Sequence, residues 1–228
     1  MLALGIDTSS PTASVAVAGE DDRFAELTIR SGEPHARLLP GAVRAALALA
    51  GAQERSLDVI SVANGPGGFT GLRIGMATAK GLALASGCPV VGFSTLETTA
   101  LSAVRMLDGD DRAVAVMQEA GRGEIYMGVY RAHGTQLRAL APERSLTPEA
   151  ALAAVPAGCL VCGSAVAGLV ETFEGSMPRD TITLSQVPRI AVTLAQRAML
   201  LLREERNALP PLIPNYLRAS DAERNART

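Results

Sequence analysis

The segment from Gly65 to Gly75, Gly-Pro-Gly-Gly-Phe-Thr-Gly-Leu-Arg-Ile-Gly, constrains the fold more than any other part of the sequence. It follows an apolar run, 58–63, that is typical of a buried strand, and it leads into a helical stretch that ends near Ser86. A Walker A loop would end in Gly-Lys-Ser/Thr, and a dinucleotide fingerprint would need glycine where Thr70 stands. The sequence therefore predicts a strand, a glycine-rich loop and a helix whose first amides could bind an anion.

Small residues recur every four positions in this predicted helix, at Gly71, Gly75 and Ala79. Leu72 and Met76 supply an adjoining apolar face. Small residues at this spacing allow another helix backbone to approach closely, as in GxxxG pairs. We therefore expect a helix to dock on this strip, and the sequence leaves open whether that helix belongs to the same chain or to a partner.

A second helix is predicted from about His35 to Ala50, because apolar residues recur on one helical face at Leu39, Val43 and Leu47. Pro40 lacks a backbone N–H, so the helix either begins near it or bends there. A helical zinc pair would need a second histidine four residues after His35, where Leu39 stands. We interpret His35 as a capping or packing residue, with a metal ligand or a base as the alternative.

The turn Asp7-Thr8-Ser9-Ser10 separates two short β-like runs and predicts a hairpin. Its hydroxyls and amides could hold a phosphate, with the Asp7 carboxylate placing a metal ion that bridges it. Asp, Thr and Ser are also the residues that a hairpin turn prefers. The sequence therefore leaves two interpretations open: a phosphate site formed by Asp7, Thr8 and Ser9, or a turn without a binding role.

Strands followed by helices fill the first half of the chain, and the second half repeats this order more weakly. A polar break at 107–111 is interpreted as the boundary between two lobes. The sequence thus predicts a duplicated α/β fold with lobes at 1–106 and 107–218. The second lobe is expected to include a last helix at about 189–206, and a polar tail follows at 219–228.

Composition limits the classes of function. With 228 residues, 48% of them hydrophobic, the chain can build one large or two small cores. The net charge of −2 gives no global positive field, so any contact with nucleic acid must be local or supplied by a partner. We expect a cytosolic protein without a membrane anchor, because the sequence has neither a basic, apolar leader nor a long uninterrupted apolar run.

The cysteines number 3, which argues against a disulfide framework. Cys159 and Cys162 form a CxxC string inside an apolar run, without a second cysteine pair to complete a zinc site. We interpret them as ordinary buried thiols, with a redox or metal role as the alternative.

Several motifs together resemble one family, the TsaB (YeaZ) family. They are Leu4-Gly5-Ile6-Asp7-Thr8-Ser9, His35-Ala36-Arg37-Leu38-Leu39-Pro40, the segment Gly65 to Gly75, Ser94-Thr95-Leu96, Gly123-Glu124-Ile125-Tyr126 and Pro214-Asn215-Tyr216-Leu217-Arg218. The resemblance spans nearly the whole chain. It implies two lobes of the ASKHA type, the actin-like ATPase or ribonuclease H-like architecture.

That family is similar to the catalytic subunit TsaD, which transfers threonylcarbamoyl to N6 of adenosine 37 in tRNA. TsaD binds a metal through an HxxxH pair, and the corresponding stretch here is Thr95 to Thr99. Hydroxyls cannot replace imidazoles as ligands of a transition metal. The resemblance therefore implies a subunit without a catalytic or metal site, and Glu119 to Arg122 depart from the family pattern.

The resemblance and the small-residue strip together predict a scaffold that activates a TsaD-like subunit. We expect further pairing with a TsaE-like ATPase and a homodimer in isolation. No cofactor is expected to be required, although ATP or ADP with Mg could bind at a subunit junction. A metallopeptidase and a small-molecule kinase are the alternatives. The predicted partner interface consists of His35, Leu38, Leu39, Gly71, Leu72, Arg73, Gly75, Met76 and Ala79.

Overall fold

The structure, a computed structural model, describes residues 1–21, 23–106, 112–133, 136–172, 177–184, 189–204 and 209–218. The chain divides into two compact units. The first comprises Met1–Thr95 and Arg189–Asn215, and the second comprises Leu96–Pro188 and Tyr216–Thr228. The predicted boundary segment 107–111 and the predicted tail 219–228 lie outside the described residues.

Strands and helices alternate along most of the chain. In order they are β1 (Leu2–Asp7), β2 (Thr12–Gly19), β3 (Phe24–Arg30), α1 (His35–Leu49), a 3-10 helix (Glu54–Ser56), β4 (Val59–Ala63), α2 (Phe69–Ser86), β5 (Val90–Phe93), α3 (Thr95–Met106), β6 (Ala113–Gly121), β7 (Glu124–His133), β8 (Gln136–Leu146), α4 (Pro148–Ala153), β9 (Leu160–Cys162), α5 (Val166–Thr172), β10 (Ile182–Thr183) and α6 (Ala191–Glu204). Because α1 begins at His35, Pro40 falls within its second turn.

The first unit contains a five-stranded sheet of order β3-β2-β1-β4-β5. Strands β1, β2 and β3 are antiparallel neighbours, which confirms the predicted hairpin, and β4 and β5 run parallel to β1. Side chains along β1 alternate between the two faces. Leu4 and Ile6 pack with α1 and α2, whereas Ala3 packs with α6. The sheet is therefore buried on both faces, as parallel sheets usually are.

The second unit repeats this arrangement with order β10-β9-β6-β7-β8. Strands β6, β7 and β8 are antiparallel neighbours, and β9 and β10 run parallel to β6. Helices α4 and α5 pack on one face, and α3 packs on the other. Since both the order and the directions match those of the first sheet, the predicted duplicated α/β fold is confirmed.

The predicted domain boundaries are wrong at two places. The helix that ends at Met106 belongs to the second unit rather than to the first, so the units divide at Thr95 rather than at 106. Helix α6 belongs to the first unit, because Ala195, Ala198 and Leu202 pack against the first sheet. The polar break at 107–111 follows the end of a helix, and polar residues mark helix ends as readily as domain ends.

The faces of these helices are apolar only in part. Within the described residues, no helix combines the length and the apolar character needed to cross a bilayer.

Candidate functional site

The turn between β1 and β2 is held by residues Gly65–Gly75, here named the glycine segment. The Thr8 hydroxyl donates a hydrogen bond to the Gly71 carbonyl oxygen at 2.7 Å. The Gly68 amide donates to the Ser9 carbonyl oxygen, also at 2.7 Å. Thr8 is fully buried. The start of α2 therefore rests directly on the turn.

This close approach explains three of the glycines. A Cβ at Gly67 would lie 2.5 Å from the Ser9 carbonyl oxygen. A Cβ at Gly71 or at Gly75 would overlap atoms of Thr8. Gly71 and Gly75 thus make room for Thr8 of this chain, and not for the backbone of a docked helix as expected.

The structure also corrects part of the predicted partner interface. Leu39, Leu72, Gly75, Met76 and Ala79 are buried in the core of the first unit, so they cannot line a docking surface. The prediction selected the inward face of each helix, because the core of a globular protein is apolar for the same reason that an interface is. The other predicted residues are His35, Leu38 and Gly71, which are half-buried, and Arg73, which is exposed.

The outward faces of α1 and α2 carry a different set of small and apolar residues. The two helices contact each other. Leu49 is 69% exposed and Leu84 is 88% exposed. Nothing lies within 4 Å of a Cβ built on Gly41 or on Gly81. We name as the helix-pair face the exposed residues Gly41, Ala45, Ala48, Leu49, Ala77, Gly81, Leu84 and Ala85.

Charges on these two helices are all positive. Arg44 and Lys80 are exposed, and neither helix contains an acidic residue. Arg37 pairs with Glu33, just before α1, at 2.7 Å. The Arg73 guanidinium lies 3.8 Å from the centre of the Phe69 ring, an ordinary cation–π contact. A partner surface with carboxylates around an apolar centre would complement this face.

His35 connects the start of α1 to the β1–β2 turn. Its Nε2 lies 2.8 Å from the Ser10 carbonyl oxygen, so Nε2–H is the donor. Its Nδ1 is buried and has no hydrogen-bonding partner within the described part of the chain. This geometry confirms the interpretation of His35 as a packing residue. Burial raises the pKa of the nearby Asp7 carboxyl, and the electrostatic interaction with His35 is the weakest of the contributions that oppose this rise.

The predicted phosphate site is only partly free to bind a ligand. Burial raises the pKa of the Asp7 carboxyl, while the hydrogen bonds from Ser9 oppose that rise. The Ser9 amide donates to Asp7 Oδ1 at 2.9 Å. Because the Thr8 hydroxyl donates to the Gly71 carbonyl oxygen, this donor is already used within the chain. Binding by Asp7, Thr8 and Ser9 stays a prediction.

The stretch that corresponds to the metal pair of TsaD lies at the start of α3. Thr95 is fully buried, and its amide donates to the Gly65 carbonyl oxygen at 2.8 Å. Thr99 is 1% exposed. Across the described ranges, no group of three or more His, Cys, Asp or Glu side chains is arranged to hold a metal ion.

Both cysteines of the CxxC string are fully buried in β9 and its preceding residue. Burial raises the pKa of the Cys159 thiol to about 11 and that of the Cys162 thiol to about 12. A thiol that stays protonated at neutral pH is a poor nucleophile and a poor metal ligand. The interpretation of these residues as ordinary buried thiols is confirmed.

Sequence reasoning missed the structural role of two residues near the end of the chain. In the first unit, the Asn215 amide donates to the Asn64 carbonyl oxygen at 2.7 Å, beside the glycine segment. In the second unit, Arg218 Nη1 lies 3.2 Å from both Glu124 Oε2 and the Ala120 carbonyl oxygen. Arg218 thereby holds the β6–β7 hairpin. The motif 214–218 was visible in the sequence only through the family resemblance.

The two matching sheets define the duplicated two-lobed fold of the ASKHA class. The component A of (R)-2-hydroxyglutaryl-CoA dehydratase from Acidaminococcus fermentans superposes with a TM-score of 0.53 at 10% identity, over 90% of this chain and 100% of that one. At this identity the likeness concerns the fold alone.

A family model described as "TsaD: tRNA N6-adenosine threonylcarbamoyltransferase" matches residues 30–226. YeaZ from Pseudomonas aeruginosa is 30% identical to this chain and superposes on it with a TM-score of 0.78, covering 95% of this chain and 99% of that one. The chain therefore belongs to the TsaB (YeaZ) family, as the resemblance in the sequence predicted.

Two relatives carry the name tRNA threonylcarbamoyladenosine biosynthesis protein TsaB. The protein from Bacillus subtilis is 34% identical over 146 residues, which is 64% of this chain and 62% of that protein. The protein from Escherichia coli is 36% identical over 131 residues, which is 58% of this chain and 55% of that protein. The match therefore spans less than two thirds of the length of either relative.

Proposed function

We propose that this chain takes part in forming threonylcarbamoyladenosine on tRNA, as a non-catalytic subunit that docks on a TsaD-like subunit through the helix-pair face. Its family membership and the names of its relatives support the pathway. The observation that carries the docking step is the exposed, small and apolar face of α1 and α2.

The exposed glycines of the helix-pair face are the first argument for docking. Glycine within a helix costs about 0.5 to 1 kcal/mol relative to alanine. Gly41 and Gly81 have no neighbour in this chain that would exclude a Cβ. A helix of another subunit that packed closely against α1 and α2 would leave no room for a Cβ at either position and would explain both glycines.

The exposed leucines and the uniformly positive charge of α1 and α2 are the second argument for docking. Leu49 and Leu84 would transfer apolar area from water into an interface at about 25 cal/mol per Å². Arg44 and Lys80 at the margin would favour a partner with carboxylates at its rim. A second copy of this chain also offers an apolar face, but it would bring these cations together.

A non-catalytic role rests on Thr95 and Thr99, which stand where the resemblance assigns the imidazoles of TsaD. Both threonines are buried, and neutral hydroxyls are weak ligands for transition metals. A TsaE-like ATPase, a homodimer in isolation and a nucleotide at a subunit junction remain expectations from the family. No feature of the described residues favours the metallopeptidase or kinase alternatives.

A matched pair of leucine substitutions tests the docking step. Gly81→Leu adds bulk to the centre of the helix-pair face, whereas Gly168→Leu adds the same bulk to α5, where space is equally open. Overpacking typically costs 1 to 3 kcal/mol, so we expect Gly81→Leu to weaken association with a TsaD-like subunit about tenfold or more. Titration calorimetry measures the affinity.

Gly168→Leu should bind like the parent chain. A folded Gly81→Leu variant with parental affinity would refute docking through this face. Reconstituting tRNA modification with and without the chain tests the pathway separately, and a reaction that proceeds equally well without it would refute participation.

A further inference from the structure

Three exposed arginines lie on one face of the second sheet, along its β7–β8 side. Arg131 of β7 is directly opposite Arg138 of β8, and Arg144 is opposite Met127. Directly paired residues project from the same face, and residues 127 and 131 share a face because their separation is even. We name Arg131, Arg138 and Arg144 the arginine rim.

The arginine rim lies on the face of the sheet that α4 and α5 cover in part, but outside the part that these helices bury. Met127 and Val129 on the same face are buried against α4 and α5. The arginines themselves are exposed, and β8 is the edge strand of its sheet. A ligand can therefore approach from the open side of β8.

Nothing in the described residues neutralises these three side chains. None of them forms an ion pair with another described residue. Glu143, the acidic residue of β8, points to the other face, where it accepts a hydrogen bond from the Tyr130 hydroxyl at 2.6 Å. Like charges directly opposite each other destabilise a strand pair. Arg131 and Arg138 are thus an unfavourable pair within this chain.

Guanidinium groups match phosphate oxygens in shape and in charge. Arg144 lies opposite Met127, four positions from Arg131 along β7. At about 3.3 Å per residue, the two ends of the rim are therefore roughly 13 Å apart. A protein partner would need an apolar centre, and Leu140 is the one large apolar side chain described as exposed in β8. The chemistry of the rim therefore favours a phosphate backbone over a protein surface.

We propose that the arginine rim binds the phosphate backbone of the tRNA substrate. This inference rests on the proposed function, because it takes the tRNA of that reaction as the polyanion. It locates the tRNA contact of a chain whose net charge of −2 offers no general attraction for RNA. Phosphate contacts fix the position of a nucleic acid without reading its sequence.

A charge-matched pair of triple variants tests the rim. Arg131→Gln with Arg138→Gln and Arg144→Gln removes it, and Arg30→Gln with Arg55→Gln and Arg179→Gln removes the same charge at other exposed positions. Fluorescence anisotropy with a labelled tRNA transcript measures binding over a range of salt, with the full chain alone and in complex with a TsaD-like subunit.

We expect the rim variant to bind tRNA about tenfold more weakly at low salt and the control variant to bind nearly as the parent does. The slope of log K against log salt should shrink by roughly 0.7 to 0.9 for each arginine removed. Thermal unfolding should show no loss of stability, since the variant removes a repulsive pair. If the triple variant fails to fold, Arg138→Gln alone should still reduce the slope.

Equal tRNA affinity and equal salt slope in the rim variant and the parent would overturn the proposal. A rim variant that keeps tRNA binding but loses the TsaD-like subunit would assign the rim to a protein partner instead. If the rim variant binds tRNA like the parent but aggregates, the arginines serve instead to keep the edge strand β8 from pairing with other chains. The first and third results leave the proposed function standing, and the second would move its docking surface from the helix-pair face to the rim. A modification reaction that does not need this chain would refute the proposed function directly.

Discussion

The two units have sheets of the same topology but differ in the helices that connect their parallel strands. In the first unit these are α1 with 15 residues and α2 with 18 residues, which carry the helix-pair face. In the second unit they are α4 with 6 residues and α5 with 7 residues. The sheet topology is therefore common to both units. The features that distinguish the units lie in the connections, as is usual for functional surfaces.

The units also secure their first hairpin differently. In the first unit the β1–β2 turn is packed under the glycine segment, with the Thr8 hydroxyl bonded to Gly71. In the second unit the β6–β7 hairpin is tied by Arg218, whose side chain is 14% exposed. A turn held by backbone packing should tolerate less change than one held by a partly exposed ion pair.

The largest effect should come from the packed turn. Gly75→Leu would force a side chain into Thr8, so we expect it to destabilise the fold by about 3 kcal/mol or more, at the upper end of overpacking. Gly168→Leu in the second unit, where space is open, should change the free energy of unfolding little. Urea denaturation of both variants measures the contrast. Similar free energies would contradict the packing explanation of the glycine segment.

A smaller loss is expected at the tied hairpin. Arg218→Ala removes the contacts with Glu124 and with the carbonyl oxygens of Ala120 and Gly121, at a cost of about 2 kcal/mol. Hydrogen exchange should accelerate in the β6–β7 hairpin and stay unchanged in the β1–β2 turn. Arg179→Gln, an exposed change in the same unit, is the control. Uniform acceleration in both units would show that Arg218 supports the whole fold instead.

The buried carboxylate of the first turn predicts a dependence on pH. Burial raises the pKa of Asp7 above its ordinary value, so its protonated form favours folding below the unfolded pKa. That contribution is lost as the pH rises through the folded pKa. Asp7→Asn keeps an acceptor for the Ser9 amide but cannot ionise. We therefore expect its stability to fall less than that of the parent between acidic and neutral pH.

Urea denaturation across that pH range checks this expectation, with Asp180→Asn in the second unit as a control for an exposed carboxylate. An Asp7→Asn variant whose stability falls with pH as steeply as that of the parent would mean that another group titrates.

The smallest effect concerns the exposed glycines. Gly81→Ala and Gly168→Ala should each stabilise their helix by about 0.5 to 1 kcal/mol, because alanine loses less conformational entropy on folding. Thermal unfolding measures both gains. Only Gly81→Ala should also weaken association with a TsaD-like subunit. If both variants bind equally well, the helix-pair face makes no close contact at Gly81.

Sequence patterns predicted helices α1, α2 and α6 and the first hairpin, since periodicity reports local structure directly. The strands of the first hairpin and helix α1 follow from alternation and from 3.6-residue spacing. The short α5 and β10 were missed because 7 and 2 residues give periodicity too little length. Docking residues were misassigned because Leu72 and Met76 are apolar for the core, and spacing alone does not separate a core from an interface.

The domain boundaries could not be predicted from local sequence patterns. Helix α6 joins the first unit through contacts with residues nearly two hundred positions earlier, such as Ala3. No local pattern encodes a contact of that range. The Arg131–Arg138 pairing was also invisible, because it depends on a register between β7 and β8 that contains shifts.

The late position of α6 has a consequence for the growing chain on the ribosome. One face of β1 is covered by α6, a helix that begins at Ala191, far along the chain from β1. Domains generally fold in order of synthesis, but here one face of the first sheet remains uncovered until α6 has been made. A nascent chain stalled before α6 would expose Ala3, Val59 and Val91 to water and to chaperones.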